Sequence, residues 1–145
     1  MRLNNIKKVF LASAALLSAM SMSAAERFVS FKQGDLLING NDKVEIYMDA
    51  NDCRGVSYAA NALVRDISKV SGSQATITSN RKATIIVGTI GHSAAIDQLI
   101  KQKRINGNLL KGKREKFIIT LVDQQLVIAG SDRRGTIYGI YELSQ

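Results

Sequence analysis

Apolar residues recur along this chain with two periods, and the switches between them mark its elements. Val44-Glu45-Ile46-Tyr47-Met48-Asp49 alternates apolar and polar side chains, which predicts a strand with one buried face. From Val56 the spacing changes to three and four: Val56, Ala59, Ala60, Leu63, Val64, Ile67 and Val70 form one stripe, with Arg65, Asp66, Ser68 and Lys69 opposite. That pattern predicts an amphipathic helix, capped by Asn51 or Asp52 and ended by Gly72 in the left-handed conformation. Thr76–Thr78 reads as a short strand, and Ala83–Val87 as a strand covered on both faces. The turn Gly88-Thr89-Ile90-Gly91-His92-Ser93 leads into a second helix, with Ser93 as its cap and Ile96, Leu99 and Ile100 facing the sheet.

Phe117–Val122 and Leu126–Ala129 are joined by Asp123-Gln124-Gln125, too short a link for a parallel crossover, so they form a hairpin. Ser131–Gln145 is a closing helix, and upstream Arg27–Phe31 and Leu36–Ile38 suggest an edge hairpin. The order is strand, helix, strand, strand, helix, hairpin, helix. This predicts an α/β (α+β) fold, a mixed β-sheet flanked by helices.

The first residues change the picture of where such a domain works. Arg2, Lys7 and Lys8 precede the apolar run VFLASAALLSAM, and small residues follow at Ser23-Ala24-Ala25. This is the layout of a secretory signal over residues 1–25, with the mature chain starting at Glu26 and bound for the periplasm or the medium. The run is shorter than the ~20 apolar residues of a membrane span, so no membrane attachment is expected after its removal. The leader holds three of the 20 basic residues and none of the 12 acids, so the net charge falls from +8 to +5. Residues 26–145 suffice for one domain.

The remaining bases concentrate in KQKRINGNLLKGKREK, Lys101 to Lys116. No aromatic residue is interleaved there for base stacking, so the stretch reads as a solvated helix end and loop, and no nucleic acid is expected. Cys53 is the one cysteine and His92 the one histidine, which leaves neither an intrachain disulfide nor a zinc site on such ligands. No cofactor is implied. The turn around Gly88 and Gly91 lacks the Lys of a phosphate loop, and His92 has no evident partner. Glycosidic chemistry needs paired carboxylates, but the acids scatter over caps, turns and exposed faces, and no pair stands out.

IAGSDRRGTIYGIYELS, Ile128 to Ser144, is the most informative segment. Gly135 and Gly139 inside a helix each give up roughly 1 kcal/mol against Ala, which implies close approach of another backbone. Packing would explain these structural glycines; it would not demand Arg133 and Arg134, which share the short stretch with Tyr138 and Tyr141.

This segment resembles the stretch in which the N-terminal domain of glycoside hydrolase family 115, the xylan α-1,2-glucuronidases, hands over to the catalytic barrel. IYMDANDCRGV, IIVGTIGHSAAIDQLI and KGKREKFIITLVD resemble that family too, so the likeness covers nearly all of residues 44–145. Departures are Cys53 where an aromatic residue is common, a shorter turn at Asp123-Gln124-Gln125, and Ala94 in place of a helix-opening proline.

The resemblance implies a non-catalytic accessory domain over residues 26–145, built like the N-terminal domains of hexosaminidases and ending where a (β/α)8 barrel would start. It implies a parent enzyme that removes (4-O-methyl)glucuronic acid from xylan. The expected partners are that barrel, in the same polypeptide, and the glucuronosyl substrate, with a homodimer of the parent left open. The family's catalytic acids lie in the barrel, so none is assigned to this chain. Arg134, Asp132, Arg133 and Tyr138 are the candidates for contact with substrate or barrel, and Ile137, Ile140 and Tyr141 for burial against the barrel. An Arg-Gly step in hexosaminidases of similar build suggests that Arg134, before Gly135, reaches the bound sugar; the alternative is that Arg134 pairs with Asp132 or caps a loop. A free-standing exported carbohydrate-binding or structural module is the competing reading.

Overall fold

A computed structural model describes Ile38 and residues 40–145. The expected leader, its cleavage point and most of the upstream hairpin lie outside the described residues.

The elements are β1 (Lys43–Met48), α1 (Arg54–Ser71), β2 (Gln74–Thr78), β3 (Ile85–Thr89), α2 (Ala94–Lys101), a 3₁₀ turn (Gly107–Leu109), β4 (Phe117–Val122), β5 (Gln125–Gly130) and α3 (Arg133–Leu143). The five strands form one sheet in the order β2-β1-β3-β5-β4. The first four of these are parallel, and β4 closes one edge antiparallel to β5. The predicted mixed sheet with flanking helices is therefore the fold. Ile46 pairs with both Ile77 and Ile85, so β3 starts at the level where β2 is ending. That stagger lets residues 79–84 step across β1 without a helix.

Alternation in the central strands divides the core in two. Val44, Ile46, Ile85, Val87 and Ile128 face α1 and α3, where they meet Val56, Ala59, Leu63 and Ile140. Tyr47, Ile86, Val127 and Ala129 face the other way, onto Ala95 and Ile96 of α2. Every residue of β3 is buried, as its continuous apolar run predicts. The basic stretch after α2 has its charges in solvent, but it also inserts Ile105 and Leu110, 5% and 0% exposed, under the sheet. Each contributes roughly 1.5–3 kcal/mol of burial. A loop with two apolar anchors thus covers the area left by the short α2.

Gly72 ends α1 with φ +72°, as predicted. The two predicted N-caps are different in the structure. Cys53, not Asn51 or Asp52, occupies the N-cap of α1 and gives no side-chain bond. Asp52 instead accepts from the backbone N–H of Cys53 and of Thr89, both at 2.7 Å, which ties the start of α1 to the end of β3. Ser93 does stand at the N-cap of α2, yet its hydroxyl makes no capping bond and is buried with no partner among the described residues. Asp49 reaches across from β1 to accept from Ala94 N–H at 3.2 Å.

Gly135 and Gly139 are packing glycines, but for this domain's own sheet. A Cβ at Gly135 would lie 2.2 Å from the carbonyl oxygen of Lys116, and one at Gly139 would lie 2.9 Å from Ile128 Cγ2 and 3.2 Å from Phe117. Ile140 is likewise fully buried within the domain, so it is not held in reserve for a barrel; Tyr138 and Tyr141 remain 43% and 48% exposed.

Candidate functional site

The chain leaves β1 through α1 toward β2 on one side, and leaves β3 through α2 toward β5 on the other. Since α1 and α2 lie on opposite faces of the sheet, the carboxyl ends of β1 and β3 sit at a topological switch point. Open α/β sheets bind ligands in the crevice outside the carboxyl ends at such a point.

At this edge the structure has an open depression of about 530 Å³. Cys53 borders it from the start of α1, Thr89, Ile90 and His92 from the end of β3, and Ser131, Asp132, Arg133 and Arg134 from the end of β5; Arg114 and Glu115 close the far side. Three of the four candidate contact residues, Asp132, Arg133 and Arg134, therefore line one depression. Tyr138, one turn further along α3, does not. Arg114 and Glu115 were not legible as site residues, because they precede β4 and reach this rim through the sheet order; the signal available was the run of bases before Phe117.

Asp132 organises the rim. Its Oδ1 accepts from Gly135 N–H at 2.8 Å, the N-cap bond of α3, and its Oδ2 accepts from Glu115 N–H at 2.9 Å. These amides, Gly135 first, hold its carboxyl below the usual range. Asp49 is held low in the same way, by Asn51 N–H foremost, with Ala94 N–H and the Tyr47 hydroxyl also donating to it. Burial, and then the Asp49 charge, push the Tyr47 phenol up. Beneath the rim the Thr89 and Thr136 hydroxyls share a buried hydrogen bond of 2.8 Å, and Thr136 also donates to the Asp132 carbonyl at 3.1 Å. The carboxylates of Asp49, Asp52 and Asp132 thus spend their oxygens on backbone amides.

The Arg134 guanidinium pairs with Glu115, while the residue's backbone amide is among the groups that hold the Asp132 carboxyl low. The guanidinium donates to Glu115 Oε1 at 2.9 Å in an exposed ion pair, and Glu115 raises its pKa. Arg133 lays its aliphatic stem over Gly55 of α1, which packs this corner of the two helices. Among the described residues no His, Cys, Asp and Glu side chains gather as a metal-ligand set, and no helix is long and apolar enough to cross a membrane.

A domain of the same fold occurs within larger solved proteins. A family GH115 4-O-methyl-α-glucuronidase, BtGH115A, described as having specificity for decorated arabinogalactans, is 37% identical with a TM-score of 0.63, over 72% of this chain and 13% of its own. CpGH84D, at 11% identity and TM-score 0.55, is matched over 70% of this chain and 17% of its own. A GH138 enzyme targeting pectin rhamnogalacturonan II is matched at 18% identity and TM-score 0.50 over 71% of this chain and 13% of its own. These last two likenesses show the fold alone. The chain spans less than a fifth of the length of each. The class is therefore an N-terminal domain found in larger multidomain glycoside hydrolases. Residues 37–143 match the model of the glycosyl hydrolase family 67 N-terminus, and the chain belongs to that family. The family model thus carries the glycoside hydrolase reading under family 67, while the likeness to family 115 rests on BtGH115A. No curated protein sequence matches the chain.

Proposed function

We propose that this domain is the accessory N-terminal part of an exported α-glucuronidase of the family 115 type, whose catalytic barrel follows in the same polypeptide and removes (4-O-methyl)glucuronic acid from xylan side chains. The observation that supports this is the 37% identity to a 4-O-methyl-α-glucuronidase across 72% of the chain. In this reading the domain braces the barrel and performs no hydrolysis, and Arg134 turns from the rim toward the sugar pocket. Its pair with Glu115 is exposed on both sides and is exchangeable, since surface ion pairs contribute about 0–1 kcal/mol.

Expression of the complete reading frame tests the proposal. Release of 4-O-methylglucuronic acid from glucuronoxylan by the longer product, with none from residues 26–145 alone, is the expected result. A longer product that cleaves neutral glycosides and leaves uronosyl side chains intact would overturn the glucuronidase assignment. Export is tested by N-terminal mass spectrometry, where an intact Met1 leader in the periplasmic fraction would count against cleavage before Glu26.

A further inference from the structure

Charge around the depression is unevenly paired. Three arginines, Arg114, Arg133 and Arg134, face two carboxylates, Glu115 and Asp132. Glu115 is engaged by Arg134 at 2.9 Å, and both oxygens of Asp132 point at backbone amides. Arg114 influences Asp132 only through the Coulombic field. Among the described residues neither Arg114 nor Arg133 forms an ion pair or a side-chain hydrogen bond. Two arginines without an ion pair, carried by different segments, therefore line one depression at the switch point of the sheet. Each guanidinium fork matches a carboxylate bidentately. Around them the lining is suited to a hydroxylated ring: His92 and Ser131 offer polar atoms, and Ile90 and Cys53 offer an apolar surface.

We infer that this depression is a binding site for the carboxylate of a uronic acid, held by Arg114 and Arg133, within the accessory domain itself. The choice of a sugar acid over other carboxylates rests on the glucuronidase reading above; the presence of an anion-selective site rests on the geometry of the rim. A volume of about 530 Å³ suits a ligand of one or two sugar rings. Because the forks are exposed, binding is weak and depends on salt.

The test is a titration of the ¹⁵N-labelled chain, followed by amide NMR, with methyl α-D-glucuronide, its neutral counterpart methyl α-D-glucoside, acetate and sulfate. The expected result is saturable shifts at Cys53, Ile90–His92 and Ser131–Arg134 with the glucuronide, and affinity at least tenfold lower for the other three. Arg114→Gln and Arg133→Gln should each lower affinity at least fivefold. Lys69→Gln, which removes the same charge from the far end of α1, should leave it unchanged. No saturable shift, equal responses to acetate or sulfate, or equal effects of Lys69→Gln and the arginine variants would each overturn the site. Hydrolysis by a longer product does not enter this titration, so failure here is distinct from failure of the glucuronidase assignment.

Discussion

Two side chains at the helix starts show how little a residue's type alone says about its role. Asp132 caps α3 and also fixes the entry to β4 through Glu115 N–H, so one carboxylate joins two segments 17 residues apart. Asp132→Ala is expected to cost about 1–2 kcal/mol, read as a lower urea midpoint. Asp132→Asn should fall between, since a single amide oxygen can serve only one of the two donors. Because the folded-state pKa of Asp132 is depressed, its contribution is complete above the unfolded value of about 3.9 and is lost as pH falls through the lower folded value. The gap between the native chain and Asp132→Ala should therefore close in acid. Ser93 is the converse case, a Ser at an N-cap position whose hydroxyl is buried without a partner among the described residues. Replacement by Ala should leave stability unchanged or raise it by up to about 1 kcal/mol, whereas a working cap would lose a similar amount. A calorimetric Tm for Ser93→Ala decides between them.

The same gap between type and role appears at the level of elements, where periodicity was easier to interpret than ends and contacts. The alternation from Val44, the stripe from Val56 and the two apolar runs around Asp123 were enough to place the strands, the long helix and the hairpin, because each pattern faces one core. Helix caps were not legible in the same way: Asp52 turns to an amide at the end of β3 and Asp49 to the first amide of α2, partners that local sequence does not name. Nor was the anchoring of the basic loop by Ile105 and Leu110, since charges dominate that stretch. Gly135 and Gly139 were legible as close-approach positions, but only the sheet order identifies Lys116, Phe117 and Ile128 as what they approach. Alanine at either should improve helix propensity by about 1 kcal/mol and still destabilise the domain. Gly135→Ala should be the worse, by about 2–3 kcal/mol net, because its obstacle is a backbone carbonyl at 2.2 Å that cannot swing away. The hairpin offers the opposite change. Asp123 and Gln124 adopt φ +49° and +65°, a two-residue turn that favours glycine at its second position. Gln124→Gly should raise stability by about 1 kcal/mol, measured by urea unfolding.

At the scale of the whole molecule, the sheet gathers at its carboxyl edge residues that the chain keeps far apart, and this gathering is what makes Arg134 testable. Sequence resemblance singled out the Arg-Gly step; the fold adds that Arg134 is held by Glu115 on the same rim as Arg133 and Arg114. Two roles then make different demands on the side chain. If Arg134 only braces the rim through Glu115, Lys retains most of that exposed pair, and Arg134→Lys and Glu115→Gln should each change stability by less than about 1 kcal/mol without altering catalysis. If Arg134 turns to the sugar in the longer enzyme, Lys keeps the charge but loses the planar fork, so positioning of the uronosyl group fails while the domain stays folded. For the proposed α-glucuronidase we expect the second outcome: Arg134→Lys lowers kcat/KM on glucuronoxylan by tenfold or more, in line with the roughly 1.5–3 kcal/mol of a hydrogen bond to a charged group. The Tm should remain within a few degrees of the parent, and Glu115→Gln, which frees the guanidinium, should not share the loss. Equal and small effects of the two substitutions on kcat/KM would assign Arg134 to the rim alone.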